Sequence, residues 1–347
     1  MAEARDETIA RLPKIELHLH LEGGIRRSTL LDFAPQLGVT RESLESPEWA
    51  QRTFRFQDLG HFLKTMRLYT STCVGTPKDY ERTARELFED LVAENCRYAE
   101  ISFDPTRGIP LHMTFEEIFG AICRARDSVL AGKTMQVGLI VAFARSRGAE
   151  VAVEFARAAA AARNRGVVGI DLHGDELAGP AEDFAEAYAI ARDAGLGLRA
   201  HAGEAGGADS VWSVIRGLGV SRVAHGVRAK EDPALMEYLE THAITLDMCP
   251  VSNLMLGVVP ALAQHPIREF FDRGVRVTVG TDDPLFFDTT ITGEYQILAR
   301  EMHFTHDELR RITLMAVDGC FLQPAEKAVL RRDIEQGFDR VLAGGAS

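Results

Sequence analysis

Cysteine is scarce and scattered. The five thiols, Cys73, Cys96, Cys123, Cys249 and Cys320, nowhere form a CxxC pair, which argues against a thiolate zinc site and against a disulfide framework. Basic charge is in deficit: 39 Lys and Arg stand against 51 Asp and Glu, a formal charge of −12. Proteins that coat nucleic acid draw affinity from basic patches, so that class of partner is set aside. A single base or nucleoside bound in a pocket is not. No stretch approaches the ~18 apolar residues of a spanning helix. The opening MAEARDETIARLPK has mixed charge and lacks the apolar core of a signal peptide. The expectation is a cytoplasmic protein with no membrane partner.

What is present is a long, ordinary globular composition. The 347 residues fit two average domains or one large α/β barrel, which needs roughly 250 residues and tolerates insertions. Eight short apolar runs recur: Ile15–Leu19, Tyr98–Phe103, Val137–Phe143, Val167–Leu172, Leu196–Ala200, Arg222–Ala224, Ile244–Met248 and Val275–Val279. Runs apolar on both faces suit buried parallel strands. Helix-compatible segments such as 149–165 and 180–194 lie between them, and Gly166, Gly195 and Gly274 stand where a helix should stop. Eight strands alternating with helices predict a (β/α)8 TIM barrel, with a doubly wound open sheet as the alternative. The gap between the first two strands exceeds one crossover. Its SPEWAQRTFRFQDLGHFLKTMRLYT pattern predicts a helical lid or insertion over roughly 24–95, at the barrel face where pockets are built. One barrel domain over 1–347 is expected.

Histidines gather at strand ends. His18 and His20 close the first run, and residues two apart on a strand share a face, so both imidazoles can reach one ion. An isolated HxH is more often two ordinary histidines. Here His201 ends the fifth run, His225 the sixth, and Asp282 and Asp283 follow the eighth. In a barrel these ends converge on one mouth. Three imidazoles and a carboxylate suit Zn²⁺ or a similar divalent ion. His61, His112, His242, His265, His303 and His306 are expected to have no catalytic duty. Phe54, Phe56, Phe62 and Leu63 suit either an apolar wall over a ligand or a plain helical core.

The motifs HLHLEG at 18–23, GIDLHGDE at 169–176, HAGE at 201–204, HGVRAKEDP at 225–233, CPVSN at 249–253 and TDDP at 281–284 together resemble the adenosine deaminase family of the amidohydrolase superfamily. The match runs from about Leu12 to Phe321. The resemblance implies one Zn²⁺ per chain on His18, His20, His201 and Asp282. It implies that Glu204 serves the purine N1 and His225 orients the attacking water. It places Asp283 on the N7 side and the Gly174 backbone N–H at N3. Hydrolysis at C6 of a 6-aminopurine needs a strong nucleophile at neutral pH and a proton at N1 to let the ring accept electrons. For His225 a purely orienting hydrogen-bond role is the alternative, and Asp283 also suits a helix N-cap, a role that can coexist with the first.

Three features depart from adenosine-specific relatives. Glu22 replaces an aspartate that contacts the ribose 5′ side, CPVSN is closer to relatives acting on adenine or on 5′-modified nucleosides such as aminodeoxyfutalosine, and His173 stands where a small residue is usual. His173 either touches the substrate or packs at the barrel mouth. The strand-four end, IDLHGDE, has no lysine to carry a bridging carbamate, so one metal is expected rather than two. The P-C-x-x-C half of the cytidine-deaminase zinc signature is absent. The expected activity is zinc-dependent deamination of a 6-aminopurine, a small-molecule substrate. A two-metal amide or phosphoester hydrolase would not need Glu204 and Asp283. A silent purine-nucleoside-binding protein would have lost a ligand or the acid.

Overall fold

The computed structural model describes residues 2–46 and 52–344, with side chains from residue 6 onward. Eight strands form one sheet in the order of the chain: β1 Lys14–His20, β2 Cys96–Phe103, β3 Gln136–Ala144, β4 Val167–His173, β5 Gly197–Ala202, β6 Arg222–His225, β7 Thr245–Met248 and β8 Arg276–Val279. Every neighbouring pair is parallel. The ring closes where the Leu19–Asp282 bridge joins the end of β8 to β1. There the His20 N–H donates to the Asp282 carbonyl at 2.9 Å and the Asp282 N–H to the His18 carbonyl at 2.8 Å. Closure decides for the (β/α)8 barrel over the open sheet, because an open sheet leaves both edge strands unpaired.

The strands form where the apolar runs predict them, with ends within two residues. Helices Ala149–Ala161 and Ala185–Asp193 fill the expected crossovers. Gly166, Gly195 and Gly274 take φ of 103°, 72° and 89°, the left-handed stops that a Cβ would oppose. β1 is buried along its whole length although it carries Lys14, Glu16, His18 and His20. A polar strand in a barrel interior is stable only if each group finds a partner.

Between β1 and β2 run helices Arg27–Asp32, Arg41–Glu45, Leu59–Cys73 and Pro77–Ala93. Residues 47–51 of this predicted insertion lie outside the described residues. Asp58 caps the third helix by accepting the His61 N–H at 2.7 Å. This helix buries Phe62, Met66 and Tyr69 and brings Leu59, Phe62, Leu63 and Met66 over the strand ends. Among the described residues, no helix is long and apolar enough to cross a membrane.

Candidate active site

The barrel brings His18, His20, His201 and Asp282 together, with one potential ligand atom of each lying within 4.8 Å of the others. The Nε2 atoms of His18 and His201 are 3.2 Å apart and those of His20 and His201 3.3 Å. Asp282 Oδ1 lies 3.5 Å from His18 Nε2 and 3.3 Å from His20 Nε2. Ligands bonded to one ion at 2.0–2.1 Å in tetrahedral array stand about 3.3 Å apart. The remaining ring nitrogens settle the tautomers. His18 Nδ1 donates to the Asp247 carbonyl at 3.0 Å, and His201 Nδ1 faces the Asp171 carboxylate at 3.2 Å. Both Nε2 lone pairs therefore point at each other with no proton between them, an arrangement that a cation relieves. Burial also holds His18 and His20 neutral, driving His20 down to about 4 and His18 well below its ordinary value. The donor set fits a divalent metal.

Glu204 sits beside this cluster on the turn after β5. Glu176 braces that turn by accepting the N–H groups of Gly203 at 2.6 Å, Ala205 at 2.8 Å and Gly206 at 2.7 Å. The Glu204 carboxyl is buried, Oε1 has no hydrogen-bond partner, and Oε2 lies 3.5 Å from His225 Nε2. Burial first, then the charges of Asp282 and Glu176, pushes its pKa well above the carboxylate range. A buried, unpartnered carboxyl beside a metal-type cluster is poised to give a proton.

A chain of hydrogen bonds that the sequence reading missed orients His225. The Ile267 backbone N–H can only donate, and it donates to His265 Nδ1 at 3.3 Å. The His265 proton is therefore on Nε2, which donates to Asn253 Oδ1 at 3.0 Å. That turns the Asn253 Nδ2 group toward His225 Nδ1, 3.2 Å away. His225 Nδ1 is the acceptor, so its proton stands on Nε2, facing Glu204 and Asp282. Burial pushes both His225 and His265 down to about 3, keeping the chain neutral. His265, expected to have no catalytic duty, is buried and is joined to His225 through Asn253. Its only sequence signal was the adjacent proline. His225 and Asp282 both hold positive φ, 65° and 62°, a strain that non-glycine residues carry mainly at functional sites.

Asp283 is buried with Oδ1 unpartnered, and burial pushes its carboxyl well up. Its side chain makes no capping hydrogen bond to the Pro284–Phe287 helix it precedes, so the N-cap role fails and the oxygen is left for the cleft. Gly23 explains part of HLHLEG: a Cβ there would lie 2.0 Å from Asp283 Oδ1. Gly174, with φ 90°, lines the same cleft. His173 packs at the mouth, stacking on His20 and meeting Asp104 Oδ2 at 3.2 Å. Glu22 accepts the Asp104 N–H at 3.0 Å and lines a wider cavity rather than the cleft itself. Phe62 and Leu63 wall the cleft, whereas Phe54 and Phe56 pack into an aromatic cluster with Phe286 and Phe287. Asp171, Glu176, Ser252 and Asn253 were within quoted motifs yet carried no assigned role. Ser252 donates to Asp282 Oδ2 at 2.8 Å.

A closed parallel barrel with three imidazoles and an aspartate at the carboxyl ends of its strands is the architecture of an amidohydrolase-type enzyme. The chain belongs to the adenosine deaminase family, whose model matches residues 13–337, and is a hydrolytic purine deaminase. It is 36% identical over 330 residues to an adenosine deaminase of Edwardsiella ictaluri, covering 93% of this chain and 97% of that one. It is 35% identical over 322 residues to an adenine deaminase of Rhizobium leguminosarum, covering 92% and 98%. Among solved structures, a zinc-bound amidohydrolase from Burkholderia ambifaria superposes with a TM-score of 0.88 at 26% identity, covering 99% of this chain and 95% of that one.

Proposed function

We propose that this chain, acting as one barrel domain over 1–347 with its lid roughly at 24–95, is a zinc-dependent deaminase of a 6-aminopurine nucleoside whose 5′ end differs from that of adenosine. It releases ammonia and leaves the 6-oxo purine. The observation that carries the reading is the buried Glu204 carboxyl, with a free oxygen, beside four convergent metal-type ligands.

One Zn²⁺ would be held by His18, His20, His201 and Asp282, and when bound it supplies a hydroxide nucleophile near neutral pH. Glu204, neutral through burial, gives its proton to N1, so that the ring can accept electrons as water adds at C6. His225 Nε2–H holds the incoming oxygen. Asp283, kept neutral by burial, presents a donor to N7, and the Gly174 N–H meets N3. The proton lost by the attacking water returns to the Glu204 carboxylate, the proton of the new C6 hydroxyl passes to the 6-amino group, and the C6–N bond breaks so that ammonia leaves and the oxygen remains as the C6 carbonyl.

A nucleoside rather than free adenine is favoured by the space available. The cleft at Glu204 shares Leu63, Met66, His173 and Gly174 with a cavity of about 690 Å³, too large for the edge of a bare base. Glu22 lies in that cavity with its carboxylate one carbon longer than an aspartate. The test is a panel of kcat/KM values for adenine, adenosine, methylthioadenosine and aminodeoxyfutalosine. A 5′-modified nucleoside should lead, with adenosine lower by roughly tenfold, since a methylene misplacement is worth ~1–3 kcal/mol. Glu22→Asp should move the preference toward adenosine. Adenosine leading in the wild type, with no shift in that variant, returns the enzyme to plain adenosine deamination; adenine leading makes it a base deaminase.

A further inference from the structure

The 690 Å³ cavity beyond the cleft is lined by four cations, Lys64, Arg67, Arg107 and Arg147. Arg107 is accounted for. Its Nε faces Asp104 Oδ2 at 3.6 Å and its Nη1 donates to Thr70 Oγ1 at 3.1 Å, with the Glu22 carboxylate nearby. The side chains of the other three have no ion pair or hydrogen bond among the described residues. Some of the chain's other arginines are taken up by carboxylates, as Arg26, Arg82, Arg268 and Arg310 are.

Three acids, Glu22, Asp104 and Asp175, also line the cavity, one fewer than its cations, and none of them is ion-paired to Lys64, Arg67 or Arg147. Asp104 is occupied by Arg107, His173 and Thr106, and Glu22 by the Asp104 N–H. Asp175 turns Oδ1 to the Leu177 N–H at 3.0 Å. Lys64 and Arg67 come from the lid helix Leu59–Cys73, and Arg147 from the turn after β3. Two separate elements thus bring unpaired positive charge to one cavity.

The geometry fixes what would reach them. A purine with C6 against Glu204 and His225 has its sugar-bearing edge on the opposite side, and there the cleft opens past His173 and Gly174 into this cavity. Resting on the deaminase reading, we propose that the substrate's 5′ substituent is anionic, a carboxylate or a phosphate, and that Lys64, Arg67 and Arg147 receive it. Charges of like sign with no partner raise the local potential, and an anion placed among them replaces water with several charge-assisted hydrogen bonds.

The test uses the full-length enzyme and matched nucleosides. 5′-Deoxy-5′-(carboxymethylthio)adenosine supplies the carboxylate, AMP the phosphate, and methylthioadenosine the neutral reference. At low salt, kcat/KM for at least one anion should exceed that for methylthioadenosine by about tenfold. Which anion leads distinguishes the two sources. The ratio of anionic to neutral kcat/KM should fall several-fold in 0.5 M salt and again in the double variant Arg67→Gln, Arg147→Gln. Methylthioadenosine turned over as well as both anions, or a ratio that the double variant leaves unchanged, overturns the anionic substituent while leaving the deaminase standing. If none of the three loses its amino group, the deaminase reading falls, and this inference with it.

Discussion

In the proposed reaction Glu204 carries the proton that makes the purine ring attackable, and the groups that hold it are visible atom by atom. Glu176 fixes its turn, burial keeps it neutral, and Oε1 is left free. Glu204→Gln keeps the size and a hydrogen bond but has no proton to give. It should lower kcat by 10²–10⁴-fold with metal content and KM little changed, measured by steady-state kinetics beside elemental analysis; near-normal turnover would move the proton donor elsewhere. His265 acts one step further out, by holding Asn253 so that His225 offers Nε2–H to the site. His265→Leu should cost kcat about tenfold or more without loss of metal. His265→Gln, whose side-chain amide can still donate to Asn253, should recover most of it. Equal losses in the two variants would reduce His265 to a packing residue.

At the scale of elements, the helix Leu59–Cys73, the proposed lid, overhangs the cleft. Leu59, Phe62, Leu63 and Met66 lie over the strand ends, and Phe62 also packs on Phe56 and Phe287. Leu63 is only partly buried, so Leu63→Ala removes contact with the ligand more than with the core. KM should rise about tenfold, as losing part of a leucine's burial implies, with kcat and thermal midpoint nearly unchanged; a fall in the midpoint with KM unaltered would make Leu63 part of the scaffold. The strands were legible in the sequence because a barrel strand is apolar on both faces, and the sites were legible because strand ends converge whatever the sequence distance. The lid's contacts were not. Whether Phe54 faces a ligand or Phe286 depends on side-chain packing between segments that no period encodes. His265 was hidden for the same reason, since its partner Asn253 lies across a turn whose shape appears only in the fold. The failure of Asp283 as a cap is likewise a matter of a rotamer and not of the Asp-Pro pair.

For the whole molecule, strands spread over the chain, β1, β4, β5, β6 and β8, deliver the polar groups of one mouth. The barrel closes at the Leu19–Asp282 bridge, so Asp282 is joined to His18 and His20 by the ring's own hydrogen bonds. Ligand placement and barrel closure are then one structural event, and a bound ion should favour the folded chain by mass action. The central claim is that the four convergent ligands hold a single ion on which deamination depends. Its most direct test is to strip the protein with chelator and titrate Zn²⁺ back while following loss of the 6-amino group of a 5′-modified adenosine by ultraviolet absorbance. The rate should rise linearly and break at about one ion per chain. A break at two ions, or full turnover in the stripped protein, would contradict the account.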